Sequence, residues 1–215
     1  RVDQLITAAQ GDLARHASPR CSDEEFLRRI FLDLAGKIPP FEEAERFLAD
    51  EDPLKREQLL DRLLASPRHA RRLQHQLDVM LMQRLPKKHV EPAQWQEYLY
   101  TSVLENKPWD QLAEEILTAD GVDEKQRSRA RFLLARELNF DDTTRDIGRI
   151  FLGRDMQCAQ CHDHPSIEDY MQRHYYGLTA FLKRSYLFKD PKSGTTSIGE
   201  KAEGDVKFTS VFANE

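Results

Sequence analysis

Two cysteines and a histidine in one short stretch are the residues of this sequence best suited to chemistry. Cys158 and Cys161 are separated by two residues, and His162 follows the second cysteine directly. This C-x-x-C-H order is the pattern of c-type haem attachment. Two intervening residues suit the separation of the two vinyl groups of haem, and the adjacent histidine offers an imidazole nitrogen to the iron. The spacing therefore predicts one covalent haem c, with His162 as the proximal axial ligand.

Three other kinds of site use the same residue types. A thioredoxin-like redox pair needs a strand before the motif and a helix after it, within an α/β fold. A zinc site would use Cys158, Cys161, His162 and His164, which are close together in sequence for a tetrahedral structural site, or would borrow a distant ligand. A plain disulfide between the two cysteines is the third alternative. We favour haem because the surrounding chain is predicted to be helical, which argues against a thioredoxin-like pair, and because the zinc ligands are crowded.

The sixth position of the iron has candidates both before and after the motif. Methionine and histidine are the common second ligands of electron-transfer haems. His75, Met80 and Met82 lie on a predicted helix far upstream, where the two methionines are also suited to filling a core. Met171 and His174 lie shortly after the motif, and a tight loop would be needed to bring either one across the haem.

Polar residues just after the motif are candidates for orienting the proximal ligand. A histidine that binds a metal usually donates its other ring N–H to a neighbouring acceptor. Asp163 is the first candidate because a carboxylate is a strong acceptor, and His164 is the second. The alternative is a solvated turn in which Ser166 caps the next helix.

The chain that positions these residues is predicted to be helical as far as residue 184. Apolar residues recur at helical spacing over residues 2–15. A capping box of Ser22 and Glu25 opens a further helix, which Gly36 closes. These patterns predict a mainly α fold.

Three predicted helices lead into and out of the motif. One covers residues 124–138. A second is capped by Asp141 or Asp142 and runs to residue 152, immediately before the glycine that precedes the motif. The third covers residues 167–182.

The composition changes from helical to strand-like after residue 184. Glycine, proline and threonine appear with short alternating runs, as over residues 206–212. The sequence therefore predicts a helical haem-binding domain over residues 1–184, followed by a strand-like tail over residues 185–215 that also suits the start of a following domain. Because 157 residues precede the motif, the layout is unlike that of the small cytochromes c.

Charge and hydropathy exclude two classes of partner. The net charge is −5, and no basic field indicates nucleic acid. No run of about 18 apolar residues is present, so no membrane-spanning segment is expected. The chain begins with Arg1 and shows no signal-peptide pattern, so we expect a processed form or an excised piece.

Several stretches resemble the planctomycete-type cytochrome c domains, a family found in large exported proteins. The resembling segments include RIFLDLAGKIPP at residues 29–40, HQLD at residues 75–78, the stretch 157–165, and YYGLTAF at residues 175–181. The resemblance covers about residues 22–184. It implies a helical haem domain, exported to the periplasm or cell surface, with haem held at the C-x-x-C-H motif. His75 and His164 fall at family-pattern positions, so the resemblance makes His75 the first candidate for the sixth ligand.

Three functions are compatible with this pattern. An electron-transfer module would exchange electrons with a redox partner protein or with a neighbouring domain of the same polypeptide. A catalytic haem with an open sixth site would act on peroxide or another small ligand, with His75 near the iron but not bonded to it. A structural or docking domain would use haem or zinc to stabilise a helical scaffold. We expect the electron-transfer module.

Overall fold

A computed structural model gives the fold and describes residues 2–10 and 18–209. The packing of the backbone divides the chain into two compact units, the first ending at His69 and the second beginning at Ala70. Helices are the main secondary structure of both units, which confirms the mainly α fold class. Within the described part of the chain, no helix has both the length and the apolar character that a membrane span needs.

The first unit is built from short amphipathic helices: α1 (Val2–Gln10), α2 (Asp23–Ala35), α3 (Phe41–Ala49) and α4 (Lys55–Leu64). Helix α2 begins as predicted, because the Ser22 hydroxyl accepts a hydrogen bond from the Glu25 amide at 3.3 Å. It ends at Gly36, whose φ of 69° is left-handed. Of the helix predicted over residues 2–15, residues 11–15 lie outside the described residues. The buried apolar side chains of this unit are Leu27, Phe31, Phe47, Leu59 and Leu63.

The second unit contains the longer helices and the motif. Its helices are α5 (Pro67–Met82, within which the boundary between the units falls), α6 (Pro92–Leu104), α7 (Trp109–Thr118), α8 (Arg131–Leu134), α9 (Phe140–Phe151) and α10 (Gln172–Lys183), with 3-10 turns at Arg127–Ala130 and Cys158–Gln160. Trp95 lies at the centre of its core and is fully buried. The indole N–H of Trp95 donates to the Asp78 carboxylate at 2.9 Å, which satisfies the one polar group of this side chain.

The predicted strand-like region forms a hairpin over residues 185–200, whereas residues 206–209 of the alternating run lie outside any strand. Strands β1 (Ser185–Lys189) and β2 (Thr196–Glu200) pair antiparallel, with Ser185 opposite Glu200 and Lys189 opposite Thr196. In the connecting turn the Asp190 carboxylate accepts from two backbone N–H groups, and Gly194 takes a left-handed φ of 69°. Residues 210–215 of the predicted tail lie outside the described residues. The predicted domain boundary between residues 184 and 185 stays a prediction.

The chain before α9 differs from the expected helix over residues 124–138. It forms a 3-10 turn and the single turn α8 instead. Glu137 and Leu138 both have left-handed φ values, 50° and 51°, and this reversal ends the helix before residue 138. The predicted cap at Asp141 or Asp142 is wrong, because Asn139 caps α9 and accepts from the Asp142 amide at 3.2 Å.

The chain after the motif also differs from its prediction. The helix expected over residues 167–182 begins only at Gln172. Residues 164–170 form a loop instead, closed by a hydrogen bond from the His164 amide to the Tyr170 carbonyl at 2.8 Å. At the new helix start, the Asp163 carboxylate accepts from the Gln172 amide at 2.8 Å. An acidic acceptor at a helix N-terminus satisfies one of its unpaired amides.

Candidate functional site

The C-x-x-C-H residues form a compact turn, which we call the motif turn, residues 157–162. The amides of Cys161 and His162 both donate to the Cys158 carbonyl, each at 3.1 Å. Ala159 is buried within the fold, whereas both cysteines are exposed free thiols. The turn therefore anchors itself through its alanine and leaves both cysteines accessible.

The inner side of the motif turn packs against the second unit. Ala159 clusters with Met156 and with Tyr175 of α10. On the other side, Gly148 of α9 accepts a hydrogen bond from the Arg154 amide at 2.8 Å. A β-carbon at Gly148 would lie 3.0 Å from both the Arg154 carbonyl oxygen and Met156 Cγ. This close approach of α9 to the incoming chain requires a residue without a side chain.

Three side chains from the flanking helices hold the motif turn by neutral or charge-assisted hydrogen bonds. Gln172 Nε2 donates to the Cys161 carbonyl at 2.9 Å, and the Tyr176 hydroxyl donates to the Gln160 carbonyl at 3.1 Å. Arg145 of α9 donates to the side-chain oxygen of Gln160 at 3.0 Å. Helices α9 and α10 thus fix the turn from two directions.

His162 is oriented by the backbone rather than by the expected carboxylate. Its Nδ1 lies 2.7 Å from the carbonyl oxygen of Asp163. A carbonyl can only accept, so Nδ1 carries the proton and Nε2 is the basic nitrogen of the neutral ring. The Asp163 carboxylate accepts from the Gln172 amide. The prediction that the Asp163 side chain orients His162 is therefore wrong, because its carboxylate serves the start of α10 and its backbone carbonyl contacts Nδ1 instead.

His164, the second predicted orienting residue, serves the loop that follows the motif turn. Its Nδ1 accepts from the Ser166 amide at 3.2 Å, and its ring meets the Tyr170 ring edge-on at 5.8 Å between centroids. Ser166 does not cap the next helix, since that helix begins at Gln172. These contacts order the segment between the motif turn and α10.

The upstream candidates for the sixth ligand differ in exposure. His75 and Met80 are exposed on α5. Met82 is 4% exposed and belongs to the core around Trp95. It therefore fills a core, which was the alternative to iron ligation.

The downstream candidates lie at the start of α10, the helix that holds the motif turn. Met171 is half-buried at the N-cap position. His174 is in the first turn, with Nδ1 2.7 Å from the Asp169 carbonyl oxygen. The Met171 amide lies 3.4 Å from the same Nδ1, so the His174 ring packs against the backbone at the start of α10.

Among residues 2–10 and 18–209, no group of three or more histidine, cysteine, aspartate or glutamate side chains is arranged to hold a metal ion. The four residues named for zinc, Cys158, Cys161, His162 and His164, all fall in that range.

Neither Gln172 nor Arg145 is predicted from the sequence, although both hold the motif turn. Glutamine and arginine on a helix are most often surface residues, and nothing in their spacing distinguishes these two. The signal that does exist is indirect. Backbone carbonyls that face the protein interior need donors, and the following helix is the nearest source of them.

Fold and site together define a mainly helical domain with a C-x-x-C-H turn held between two helices. A family model for PSCyt2, described as a protein of unknown function (DUF1549), matches residues 1–186, and the chain belongs to this family. No curated protein and no solved structure matches the chain. The family's description assigns no activity, so function must be argued from the site.

Proposed function

We propose that this chain is a c-type cytochrome domain that carries one covalent haem and transfers single electrons. Cys158 and Cys161 would hold the haem through thioether bonds, and His162 would be the proximal ligand of its iron. When bound, the haem supplies one-electron chemistry that ordinary side chains lack. The electrons would pass to or from a redox partner protein or a neighbouring domain.

One observation carries this proposal: the motif turn presents two exposed free thiols beside a histidine whose Nδ1 is held by a backbone carbonyl. Haem attachment needs accessible thiols, and axial ligation needs a histidine with a fixed ring and a basic second nitrogen. The accessible thiols of Cys158 and Cys161 and the fixed ring of His162 therefore support this proposal.

The rest of the turn is satisfied by internal hydrogen bonds. The carbonyls of Cys158, Gln160 and Cys161 all accept hydrogen bonds from the protein. The backbone therefore keeps its conformation without help from the thiols. A group attached at the two sulfurs would meet a preorganised turn, so little ordering would oppose attachment.

Location follows from the proposed cofactor. Covalent haem attachment takes place after export, so we place the mature protein in the periplasm or at the cell surface. This assignment depends on the haem and falls with it.

The test of attachment is to export the chain together with haem-attachment machinery and to denature the product. We expect the haem absorbance to remain with the polypeptide, and to be lost when both Cys158→Ser and Cys161→Ser are introduced. Cys21→Ser is the matched control and should keep full haem, because Cys21 is the only other cysteine. The proposal would be overturned if the protein without substitutions carried no haem, or if it bound one zinc ion per chain instead.

The test of electron transfer is the optical spectrum after reduction. Sharp, split bands would indicate a six-coordinate low-spin iron and support electron transfer. His75 stays our first prediction for the sixth ligand, so His75→Ala should broaden these bands, whereas Met80→Ala should not. If the bands are lost in Met171→Ala or His174→Ala, the sixth ligand is at the start of α10 and His75 is not the ligand. A broad high-spin spectrum that shifts with carbon monoxide would overturn electron transfer in favour of a catalytic haem.

A further inference from the structure

Gln172 is a buried amide at the start of α10. Its side chain belongs to a residue only 4% exposed, and a buried amide is costly unless it finds partners. Its Nε2 donates to the Cys161 carbonyl at 2.9 Å. This donor therefore serves the motif turn rather than the solvent.

The carbonyl that Gln172 holds belongs to the peptide group joining Cys161 to His162. The N–H of the same peptide group donates to the Cys158 carbonyl at 3.1 Å. Both polar atoms of this planar unit are thus held. The plane of this peptide group sets the position of the His162 α-carbon. The hydrogen bond from Gln172 therefore helps to position the imidazole that this α-carbon carries.

Tyr176 supports the same geometry from one helical turn further along. Residues four apart share a helix face, and the Tyr176 hydroxyl donates to the preceding carbonyl of the turn, that of Gln160, at 3.1 Å. The Tyr176 ring is stacked on Phe208, with 4.5 Å between ring centroids and 9° between ring planes. Two successive carbonyls of the motif turn are therefore held by one face of α10.

We propose that Gln172 is a positioning residue for His162, acting through the Cys161–His162 peptide group, and that Tyr176 assists it. This inference rests on the proposed haem function and adds a residue that the C-x-x-C-H pattern does not contain. Gln172 acts on the backbone of the motif turn, so its loss should alter both how readily the haem is attached and how the iron is ligated.

The test replaces Gln172 by methionine, which has similar length but no donor, in the full chain exported with haem-attachment machinery. The matched control is Gln74→Met, because Gln74 is also a buried glutamine, 5% exposed, but lies on α5. We expect Gln172→Met to lower the covalent haem per folded chain by roughly 2- to 10-fold, the factor that one hydrogen bond represents. The reduction potential of the remaining holoprotein should also shift.

The control separates a positioning role from a general loss of packing. Gln74→Met should leave haem content per folded chain and reduction potential at their original values. Tyr176→Phe, which removes only the hydroxyl, should shift both quantities in the same direction as Gln172→Met and by less. It carries the test if Gln172→Met does not fold.

Two failures can be told apart. If the unchanged protein holds haem and neither Gln172→Met nor Tyr176→Phe alters its haem content or potential, this inference is wrong while the proposed function stands. If the unchanged protein holds no haem, the proposed function is wrong and this inference falls with it.

Discussion

The two units each hold an aspartate between basic side chains, but they do so at different depths. In the first unit Asp23, at the start of α2, lies 2.7 Å from Lys55 and 2.6 Å from Arg56. Hydrogen bonds from these two side chains lower the pKa of Asp23. The cluster is partly exposed, and Arg56 also donates to the Cys21 carbonyl at 2.8 Å.

In the second unit the corresponding arginine is buried and its aspartate is partly buried. Arg136, with a side chain only 1% exposed, lies 2.7 Å from Asp146 of α9. Burial alone would raise the pKa of Asp146, but the hydrogen bonds and charge of Arg136 outweigh it and lower that pKa overall. The same guanidinium donates to the carbonyls of Phe132 and Leu81.

Comparing the Asp23 cluster with the Arg136–Asp146 pair shows where a charged group holds the helices around the motif turn. At the surface, water competes with each partner, so an ion pair contributes little. In the interior, a guanidinium without its partner is costly, so its geometry is enforced. Arg136 joins α5, α8 and α9 in this way, and α9 also supplies Arg145 to the motif turn.

Removing the buried guanidinium should have the largest effect on stability. Arg136→Met leaves the Asp146 carboxylate without its main partner, so we expect the free energy of unfolding to fall by about 3 kcal/mol. Tryptophan fluorescence during denaturant unfolding reports on this unit alone, since both tryptophans, Trp95 and Trp109, lie in it. Arg149→Met is the control. It removes a half-exposed partner of the same aspartate and should cost less than about 1 kcal/mol. Equal losses would abolish the contrast between buried and exposed charge.

A second, uncharged restraint on α9 should have an intermediate effect. Gly148→Ala forces a β-carbon to 3.0 Å from the Arg154 carbonyl oxygen, and such overpacking costs about 1–3 kcal/mol. The control is Gly177→Ala on α10, where a β-carbon would meet nothing within 4 Å. That change should stabilise the unit by about 0.5–1 kcal/mol, because alanine is the better helix former. The same fluorescence measurement checks both, and a harmless Gly148→Ala would show that the approach of α9 to residues 154–156 can relax.

Acid should remove the contribution of the Arg136–Asp146 pair to the stability of the second unit. The pKa of Asp146 is lowered in the folded protein, so its contribution is fully present above the unfolded pKa of about 4 and is lost as pH falls through the folded value. The fluorescence-detected stability of the second unit should therefore decline more steeply below about pH 4 in the unchanged protein than in Asp146→Asn. Identical pH profiles would mean that other carboxylates dominate the acid response.

The capping signals at both ends of α2 predicted that helix correctly, whereas those near Asp141 and Ser166 did not. The Ser22 and Gly36 ends of α2 are confirmed because the contacts that define them lie within a few residues. The expected helix over residues 124–138 is wrong because the left-handed residues Glu137 and Leu138 are neither glycine nor asparagine. Their conformation is imposed by packing that no local pattern shows.

The site divides in the same way between local and distant information. Adjacency in sequence was enough to bring Cys158, Cys161 and His162 into one turn. The role of Gln172 could not be predicted, because its amide reaches a backbone carbonyl across the loop at residues 164–170. The sequence pattern predicted a shorter loop there. The helix was expected to begin at residue 167, which would have placed Gln172 inside it rather than at its first position.

The smallest expected effect belongs to the exposed cluster around Asp23. In a Cys158→Ser and Cys161→Ser background, Cys21 is the only thiol left, and its alkylation rate reports opening at the start of α2. Salt screens exposed ion pairs, so alkylation should be modestly faster at high salt. Asp23→Asn should be modestly faster at low salt and should respond little to added salt, because its charge pairs are already gone. A strong salt response that persists in Asp23→Asn would assign the restraint at Cys21 to charges other than Asp23, and the surface cluster would no longer be the counterpart of the Arg136–Asp146 pair.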